Sequence, residues 1–568
     1  MDNFFTDNSD IQWHFNHLDI EDVVASLEEG YTQASQFEDA PVSYADAIDG
    51  YRRVLEMTGA ICAQEIAPLA ADVDREGAHF EDGRVRHAAG TARALSVLRQ
   101  AGLMGVQLPR RFGGLNFPAT LYSMCIEMVS QADASLMNVF GLSEAIAETI
   151  CQFASEELKD KYLPLFTSGE ISGAMILTEP DAGSDLQAVR LKAVPQADGS
   201  WRLFGVKRFI TNGGADVSLV LARSEEGSSD GRGLSMFLCE KCPELVIRRI
   251  ENKLGIHGSP TCELQFNGVP AVLVGQRRFG LIRYVSALMN GARVGVAAQA
   301  VGIAQAAYEE ALNYARNRVQ YKQPIIQMPQ VYDMLARMKS QIQVARAITY
   351  EANRVVDRRR MLERKLEAGP SPELKAKIRE VDSYASLLTP LAKAYSTEMA
   401  NRVTYDAIQI HGGAGYMKEF NVERLARDAR VTSIYEGTTQ LQVVAAFPLI
   451  ANGTLSKYLA QLGERDFRPE LMSASSALRE MRERIDFCVS YLKNADDWAY
   501  SELVSRHLVD AACDVVGAHL LLNQANLDPA RELAAEKFIR DAVPRVRMHA
   551  EYVTSGDKLL IENRLALV

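Results

Sequence analysis

The chain lacks any run of about 18 consecutive apolar residues, so no membrane-spanning helix is expected in its 568 residues. Its first eight residues, Met1 to Asn8, also lack the basic and apolar segments of a secretory signal. Cysteine is sparse, with eight residues scattered along the chain, which favours free thiols in a reducing compartment over a disulfide framework. We therefore expect a soluble, cytoplasmic protein of bacterial type.

A basic surplus is missing as well. The net charge of the chain is -11, so nucleic acid is not an expected partner. The C-terminal part, residues 451–568, carries 15 Lys and Arg against 18 Asp and Glu, which argues against a DNA-binding tail. Hydrophobic residues make up 47% of the chain, enough for a large core and several domains.

Several catalytic and metal-binding motifs are absent. The glycines after His411 do not form a G-x-G-x-x-G dinucleotide motif. We therefore expect His411 to be a packed or loop histidine. The C-x-x-C of Cys239 and Cys242 has no two further ligands nearby, so both are interpreted as structural cysteines, and no metal site is predicted.

The predicted secondary structure changes twice along the chain, from helical to β-rich and back to helical. Helical spacing of apolar residues predominates from Tyr44 to about Ser172, and short apolar or alternating runs follow up to about Tyr284. In the β-rich part, Asn267–Gly268 is predicted to form a turn. The predicted strands are Trp201 to Val206, Val217 to Ala222, Leu234 to Leu238 and Glu263 to Phe266.

Helices are predicted again from Val285 onward. Val296, Ala300, Ile303 and Ala307 form one stripe at helical steps. Longer helices are expected over 331–360 and 375–407, with a break at 369–372. The predicted domains are an N-terminal arm with a short helix (1–45), an α-helical domain (46–172), a β domain (173–284), a helical bundle (285–450) and an additional helical domain (451–568).

The run Ser433–Gln440 contains a carboxylate, Glu436, among apolar and small residues. A carboxylate shielded from water has a raised pKa and becomes a competent general base near neutral pH. On its own this run also fits an ordinary turn or helix start. Two further runs, Leu177–Asp185 and Gln409–Tyr416, precede it in the chain.

These three runs, in this order, resemble the acyl-CoA dehydrogenase family, and the resemblance covers roughly residues 46 to 450. The second run continues with Glu419, Arg424 and Asp428 at the family's spacing. The resemblance implies an α+β fold: an N-terminal helical domain, a central β-barrel-like domain and a C-terminal helical bundle. The long helical hairpin and the additional helical C-terminal domain are similar to the enlarged subgroup that includes methylmercaptopropionyl-CoA dehydrogenases.

The resemblance implies FAD-dependent α,β-dehydrogenation of an acyl-CoA, with Glu436 as the catalytic base. Some members place the base directly before an arginine that corresponds to Arg293, but here that position is Ala292, which cannot act as a base. The family's acid three positions before the arginine is Asn290, which leaves the local charge pairing open. Substrate contacts are expected from Ser184, Arg293, Tyr435 and Gly437.

The FAD contacts that the resemblance implies fall into two groups. Phe209 stands where the family usually has a tryptophan beside the flavin. Arg318 and the run after Gln409 match contacts made to the neighbouring subunit's FAD, and Lys322 replaces a usual glycine. The full set is Thr178, Gly183, Ser184, Phe209, Thr211, Arg318, Gln320, Tyr321, Gln409, Gly412, Gly413, Thr438 and Gln440.

Contacts in trans require a homo-oligomer. We expect a dimer in preference to a tetramer, because we expect the tail to cover a surface that smaller members use to pair dimers. The resemblance implies electron-transfer flavoprotein as the electron acceptor and a place in fatty acid β-oxidation. An acyl-CoA oxidase, which uses the same base and flavin but O2 as acceptor, is the alternative that the sequence leaves open.

Overall fold

The computed structural model describes residues 1–369, 371–463 and 467–568. The chain divides into two compact units, Met1–Ile303 and Ala304–Val568. The long helix α9 (Ser286–Asn317) contains the boundary. The predicted break at 369–372 includes Pro370, which lies outside the described residues. The five-part domain division stays a prediction.

The first unit combines helices with one large sheet and one short hairpin. Its helices are α1 (Ser9–Asn16), α2 (Glu21–Leu27), α3 (Tyr44–Ile61), α4 (Ala70–Glu76), α5 (Ala89–Gln100), α6 (Ala119–Ala132), α7 (Ala134–Phe153) and α8 (Glu156–Thr167). Its strands are β1 (His79–Glu81), β2 (Arg84–Arg86), β3 (Gly173–Ile176), β4 (Lys192–Pro195), β5 (Trp201–Thr211), β6 (Val217–Arg223), β7 (Leu234–Glu240), β8 (Leu245–Ile250) and β9 (Thr261–Leu273).

The N-terminal arm has two helices where one was expected. Helix α1 begins after Asn8, whose side chain accepts hydrogen bonds from the N–H groups of Asp10 and Ile11. Glu28, after α2, forms a bidentate, fully buried ion pair with Arg110, with both N···O distances at 3.0 Å. The arm is therefore fixed to the helical part of its own unit.

The sheet closes on itself, as the β-barrel-like expectation requires. Going round, β4 pairs with β5, β5 with β9, β9 with β7, β7 with β6, and β6 with β4. Strands β3 and β8 are added to β6 and β9. This closure leaves few exposed strand edges.

Alternating side chains of the strands fill two separate cores. In β6, Leu219 and Leu221 contact the cluster formed with α7 and α8, whereas Val220 packs into the opposite cluster. The same alternation in β7 sends Met236 to the first cluster and Phe237 to the second. This period of two explains why nearly continuous apolar runs form these strands, since both faces are buried.

One expectation for this unit is wrong. Asn267–Gly268 does not form a turn, because β9 continues through it and pairs with β5, with a register shift beside Leu203 and Phe204. Gly268 has φ of +85° and occupies this bulge. The predominantly helical region also contains the β1–β2 hairpin, whose turn Asp82–Gly83 has two positive φ angles.

The second unit is almost entirely helical, including the tail, as expected. It contains a hairpin of β10 (Val319–Gln320) and β11 (Gln323–Pro324). Its helices are α10 (Pro329–Ala368), α11 (Pro372–His411), α12 (Asn421–Thr432), α13 (Thr439–Ala451), α14 (Thr454–Gln461), α15 (Met472–Ala495), α16 (Trp498–Leu527), α17 (Glu532–Thr554) and α18 (Leu559–Leu567). Helices α16 and α17 pack on each other and on α10.

Each of the eight cysteines is a free thiol, and Cys151 and Cys242 are half-buried while the other six are buried. Cys239 lies in the core of the sheet, and burial raises its pKa to about 12, as suits a structural cysteine. Within the described residues, no single helix has the length and apolar character to cross a membrane, although α13 and α14, bent by 76°, pass that test as a pair.

Candidate active site

Glu436 lies in the tight turn between α12 and α13, and its side chain is half-buried. Its φ is +55° and that of Gly437 is +90°, so two consecutive residues have left-handed backbone conformations. A glutamate in this region costs free energy that a glycine would avoid, and such residues cluster at functional sites. The turn therefore holds one specific carboxylate in a conformation that the local sequence alone does not favour.

Two side chains bind the backbone on both sides of Glu436, and a third binds the side chain of Thr439. The ammonium of Lys393, on α11, donates to the carbonyl oxygens of Thr432 at 3.0 Å and Gly437 at 2.7 Å. The amide of Gln442 donates to the same Gly437 oxygen at 2.9 Å. Glu398 accepts a hydrogen bond of 2.7 Å from the hydroxyl of Thr439. The turn is thus tied to α11 and to the first turn of α13.

Lys393 and Glu398 were not predicted as site residues from the sequence. Lys393 is the only charged residue between Asp382 and Glu398, and an isolated cation in such a stretch is a signal for a buried charge. Its acceptors follow 39 and 44 residues later in the chain, so the sequence could not identify them.

Gly412 and Gly413 offer open backbone at the end of α11. Both are exposed, and a Cβ built on either would meet nothing within 4 Å. The preceding His411 is buried, stacks on Tyr314 at 4.2 Å between ring centroids and donates from Nδ1 to the Ala407 carbonyl at 2.8 Å. The interpretation of His411 as a packed histidine is confirmed. Gln409, one turn earlier, is exposed.

The β10–β11 hairpin presents the other predicted trans contacts. Its two turn residues, Tyr321 and Lys322, have φ of +49° and +65°. Tyr321 is 90% exposed, and Arg318 and Gln320 are exposed as well. These side chains are free of the core of their own unit, as groups that reach a neighbouring subunit must be. Of the remaining residues predicted in this unit, Tyr435 and Thr438 are half-buried and Gln440 is exposed.

In the first unit, the run Leu177–Asp185 folds into a small loop beside β5. Glu179 and Ala182 exchange two backbone hydrogen bonds across Pro180–Asp181. The Thr178 carbonyl accepts the N–H of Arg208 at 3.0 Å, which joins the loop to β5. Gly183 and Ser184 are exposed, and a Cβ on Gly183 would meet its first neighbour only at 3.9 Å. The loop therefore leaves backbone and hydroxyl groups accessible to a ligand.

A buried ion pair stabilises this loop. Lys207 lies 3.0 Å from the carboxylate of Glu179 and donates to the Leu177 carbonyl at 2.6 Å. Burial lowers the pKa of Lys207 to about 8, against the opposing effect of Glu179, so the ammonium is charged at neutral pH. Glu179 also accepts the N–H groups of Arg190 and Leu191.

Phe209 lies at a second irregularity of β5. The register with β9 shifts between Lys207 and Ile210, and Phe209 has φ of +60° and is 52% exposed. A bulge of this kind redirects a side chain out of the sheet. The exposed ring is available to stack on a planar ligand, and Arg208 covers it at 4.6 Å. Thr211, at the end of the strand, is half-buried.

Arg293, on α9, is half-buried and donates from Nη1 to the side-chain oxygen of Asn290 at 3.3 Å. Asn290 thus keeps a hydrogen bond to the arginine although it carries no charge. The neighbouring position, Ala292, has no acid–base group. Within each unit, these residues fit FAD and a CoA thioester: an exposed aromatic ring, open glycine backbone, hydroxyls and a cation.

Comparison with known protein families shows the class of this protein, a flavin-dependent oxidoreductase. Models of the acyl-CoA dehydrogenase N-terminal, middle and C-terminal domains match residues 49–170, 174–269 and 282–445. A fourth, described as acyl-CoA dehydrogenase C terminal, matches residues 451–558. The chain belongs to the acyl-CoA dehydrogenase family, so its cofactor is FAD and its reaction is the dehydrogenation of an acyl-CoA.

Known relatives extend this similarity to the tail. A 3-methylmercaptopropionyl-CoA dehydrogenase of Ruegeria pomeroyi is 34% identical over 515 residues, 86% of this chain and 82% of the relative. An acyl-CoA dehydrogenase of Bacillus anthracis complexed with FAD has the same fold, with a TM-score of 0.77, 23% identity and coverage of 91% and 90%. A chain in a structure of the electron transferring flavoprotein of Acidaminococcus fermentans matches with a TM-score of 0.60, 30% identity and coverage of 70% and 96%.

Proposed function

We propose that Glu436 is the catalytic base of this enzyme and that the product is a trans-2-enoyl-CoA. The carboxylate takes the α-proton next to the thioester carbonyl, the β-hydrogen leaves with its electron pair, and a Cα=Cβ double bond forms. FAD supplies the acceptor for that hydride. The observation that carries the proposal is the fixed left-handed turn at Glu436, which places one carboxylate in a rigid setting.

Other residues of this chain bind and orient the reactants. The N–H of Glu436 is assigned as a donor to the thioester oxygen, where negative charge develops. Arg293, Ser184, Tyr435 and Gly437 are assigned to the CoA thioester. The FAD-binding residues described above are assigned to FAD. Among them, Arg318, Gln409, Gly412 and Gly413 are assigned to the FAD of the neighbouring subunit.

We further propose electron-transfer flavoprotein as the acceptor, a cytoplasmic location, a homodimer and a role in fatty acid β-oxidation. The likeness to a chain in a structure of electron transferring flavoprotein supports the acceptor. The exposed hairpin with Arg318, Gln320 and Tyr321 supports a homo-oligomer, because these side chains are accessible to a neighbouring subunit. Light scattering that gives a tetramer or a monomer would contradict the dimer.

The test is anaerobic flavin bleaching by a panel of butyryl-, octanoyl- and methylmercaptopropionyl-CoA, with wild type beside Glu436→Gln. We expect wild type to bleach, and the variant to keep its yellow FAD and bleach at least about 100-fold more slowly, as for loss of a general base. A variant that bleaches at the wild-type rate rules out Glu436. Peroxide formed in air at the rate of turnover would instead indicate an acyl-CoA oxidase.

A further inference from the structure

Lys393 is completely buried, with 0% of its surface exposed. Lysine is almost never fully buried unless it is paired, because moving an ammonium out of water costs several kcal/mol. Here the ammonium donates two hydrogen bonds, to the carbonyls of Thr432 and Gly437. The bond to Gly437, at 2.7 Å, has the length of a charge-assisted hydrogen bond.

The two acceptors enclose the turn that carries Glu436. Thr432 is the last residue of α12, where backbone carbonyls lack intrahelical partners and the helix dipole favours a cation. Gly437 directly follows Glu436. One buried cation therefore ends α12 and, at the same time, holds the peptide on the far side of Glu436. The chain between these two points includes a residue at φ of +55°, which needs such support.

We propose that Lys393 is a positioning residue for Glu436. Its ammonium holds the backbone of the turn through the carbonyls of Thr432 and Gly437, so that the Glu436 carboxylate is placed next to the α-carbon of the substrate. This inference rests on the proposed role of Glu436. A base displaced by about 1 Å can lose 100-fold in rate. Lys393 therefore influences the proton-abstraction step while it contacts neither substrate nor flavin.

The test is a double-mutant cycle of Lys393→Met and Glu436→Gln, using the acyl-CoA of the panel that bleaches wild type fastest. The rate constant of flavin reduction is measured anaerobically per bound FAD, which removes losses due to unfolded protein. We expect Lys393→Met alone to reduce this rate at least about tenfold. In the Glu436→Gln background the same substitution should change it less than about twofold, because no base remains to be positioned.

Leu387→Ala is the matched control. Leu387 is fully buried in the same helix, six residues and about 9 Å from Lys393 along the axis. It should destabilise the protein but leave the reduction rate per bound FAD unchanged. Should Lys393→Met not fold, Gln442→Met removes the second donor to the Gly437 carbonyl and should slow reduction a few-fold, again only when Glu436 is present.

The possible failures are distinguishable. If Glu436→Gln alone bleaches as fast as wild type, the proposed base is wrong. If Glu436→Gln is slow and the effects of the two substitutions multiply, or if Lys393→Met changes the rate no more than Leu387→Ala does, the positioning role of Lys393 is refuted and that of Glu436 stands.

Discussion

The ammonium of Lys207 lies 3.0 Å from the carboxylate of Glu179, and both side chains are buried beneath the loop that is assigned to the flavin. Breaking a buried pair leaves one uncompensated charge, which costs far more than breaking a pair on the surface. We expect Glu179→Gln to lower the free energy of unfolding by about 3 kcal/mol. Denaturant unfolding checks this.

The matched control is Arg93→Ala, which removes an ion pair of similar length, 2.8 Å to Glu65, between two exposed side chains. This substitution should lower the free energy of unfolding by less than about 1 kcal/mol. Equal costs for the two substitutions would show that the Lys207–Glu179 pair contributes no more than a surface pair does.

The buried carboxyl of Glu144, in α7, should make the free energy of unfolding depend on pH. Burial raises the pKa of this carboxyl to about 8, although the N–H of Gln107 donates to it at 2.9 Å. The folded protein therefore holds a proton that the unfolded chain releases above its ordinary pKa of 4.5. This stabilising contribution is present below that value and is lost as the pH rises through about 8.

In wild type the free energy of unfolding should fall between pH 4.5 and about pH 8, and we expect Glu144→Gln to reduce this fall. Above about pH 8 the variant should be more stable than wild type by a few kcal/mol. Glu480→Gln is the control, because Arg547 and Arg484 lower the pKa of Glu480 to about 2, outside this window. An unchanged pH profile for Glu144→Gln, measured by denaturant unfolding, would contradict the assignment.

Two substitutions of Phe209 distinguish its contribution to flavin binding from the cost of its strained backbone. Both Phe209→Ala and Phe209→Gly remove the exposed ring, and we expect each to weaken FAD binding about tenfold or more, given 1–3 kcal/mol for a stacked aromatic. Only glycine removes the conformational cost of φ at +60°. The apoprotein of the glycine variant should therefore be more stable than that of the alanine variant by about 1 kcal/mol. FAD titration of apoprotein and its thermal unfolding measure the two effects. Wild-type FAD affinity in both variants would exclude Phe209 from the flavin site.

Two glycines of α9 give opposite predictions for the same substitution. A Cβ on Gly302 would lie 2.2 Å from the Glu127 carbonyl oxygen, so Gly302→Ala should destabilise the protein by about 2 kcal/mol or more. Gly291 has open space around it, and Gly291→Ala should stabilise the helix by up to about 1 kcal/mol. Thermal unfolding of both variants decides, and a tolerated Gly302→Ala would refute the close approach of α6.

The order of helical and β-rich segments was predictable because local periodicity determines it. Asn267–Gly268 shows where this fails. The pair favours a turn, but β9 pairs with β5 both before and after Gly268, and this pairing carries β9 through the pair as a bulge. The β1–β2 hairpin has a recognisable Asp82–Gly83 turn, yet its strands have three residues each, too few for a clear alternation.

In the candidate site, Glu436 and the glycine runs could be found in the sequence because they are contiguous motifs. The residues that hold the site together could not. Lys393 and its two acceptors are far apart in the chain, and the left-handed backbone of Glu436 has no sequence signal of its own, since glutamate rarely adopts it.

The distribution of the free thiols has a practical consequence for spectroscopy. Cys151 and Cys242 are only half-buried, whereas the other six cysteines are buried. Maleimide dyes should therefore attach to these two positions in the native protein and to all eight after denaturation. Replacing either residue by serine would leave one attachment point, so a single fluorophore could report on ligand binding without a cysteine-free background.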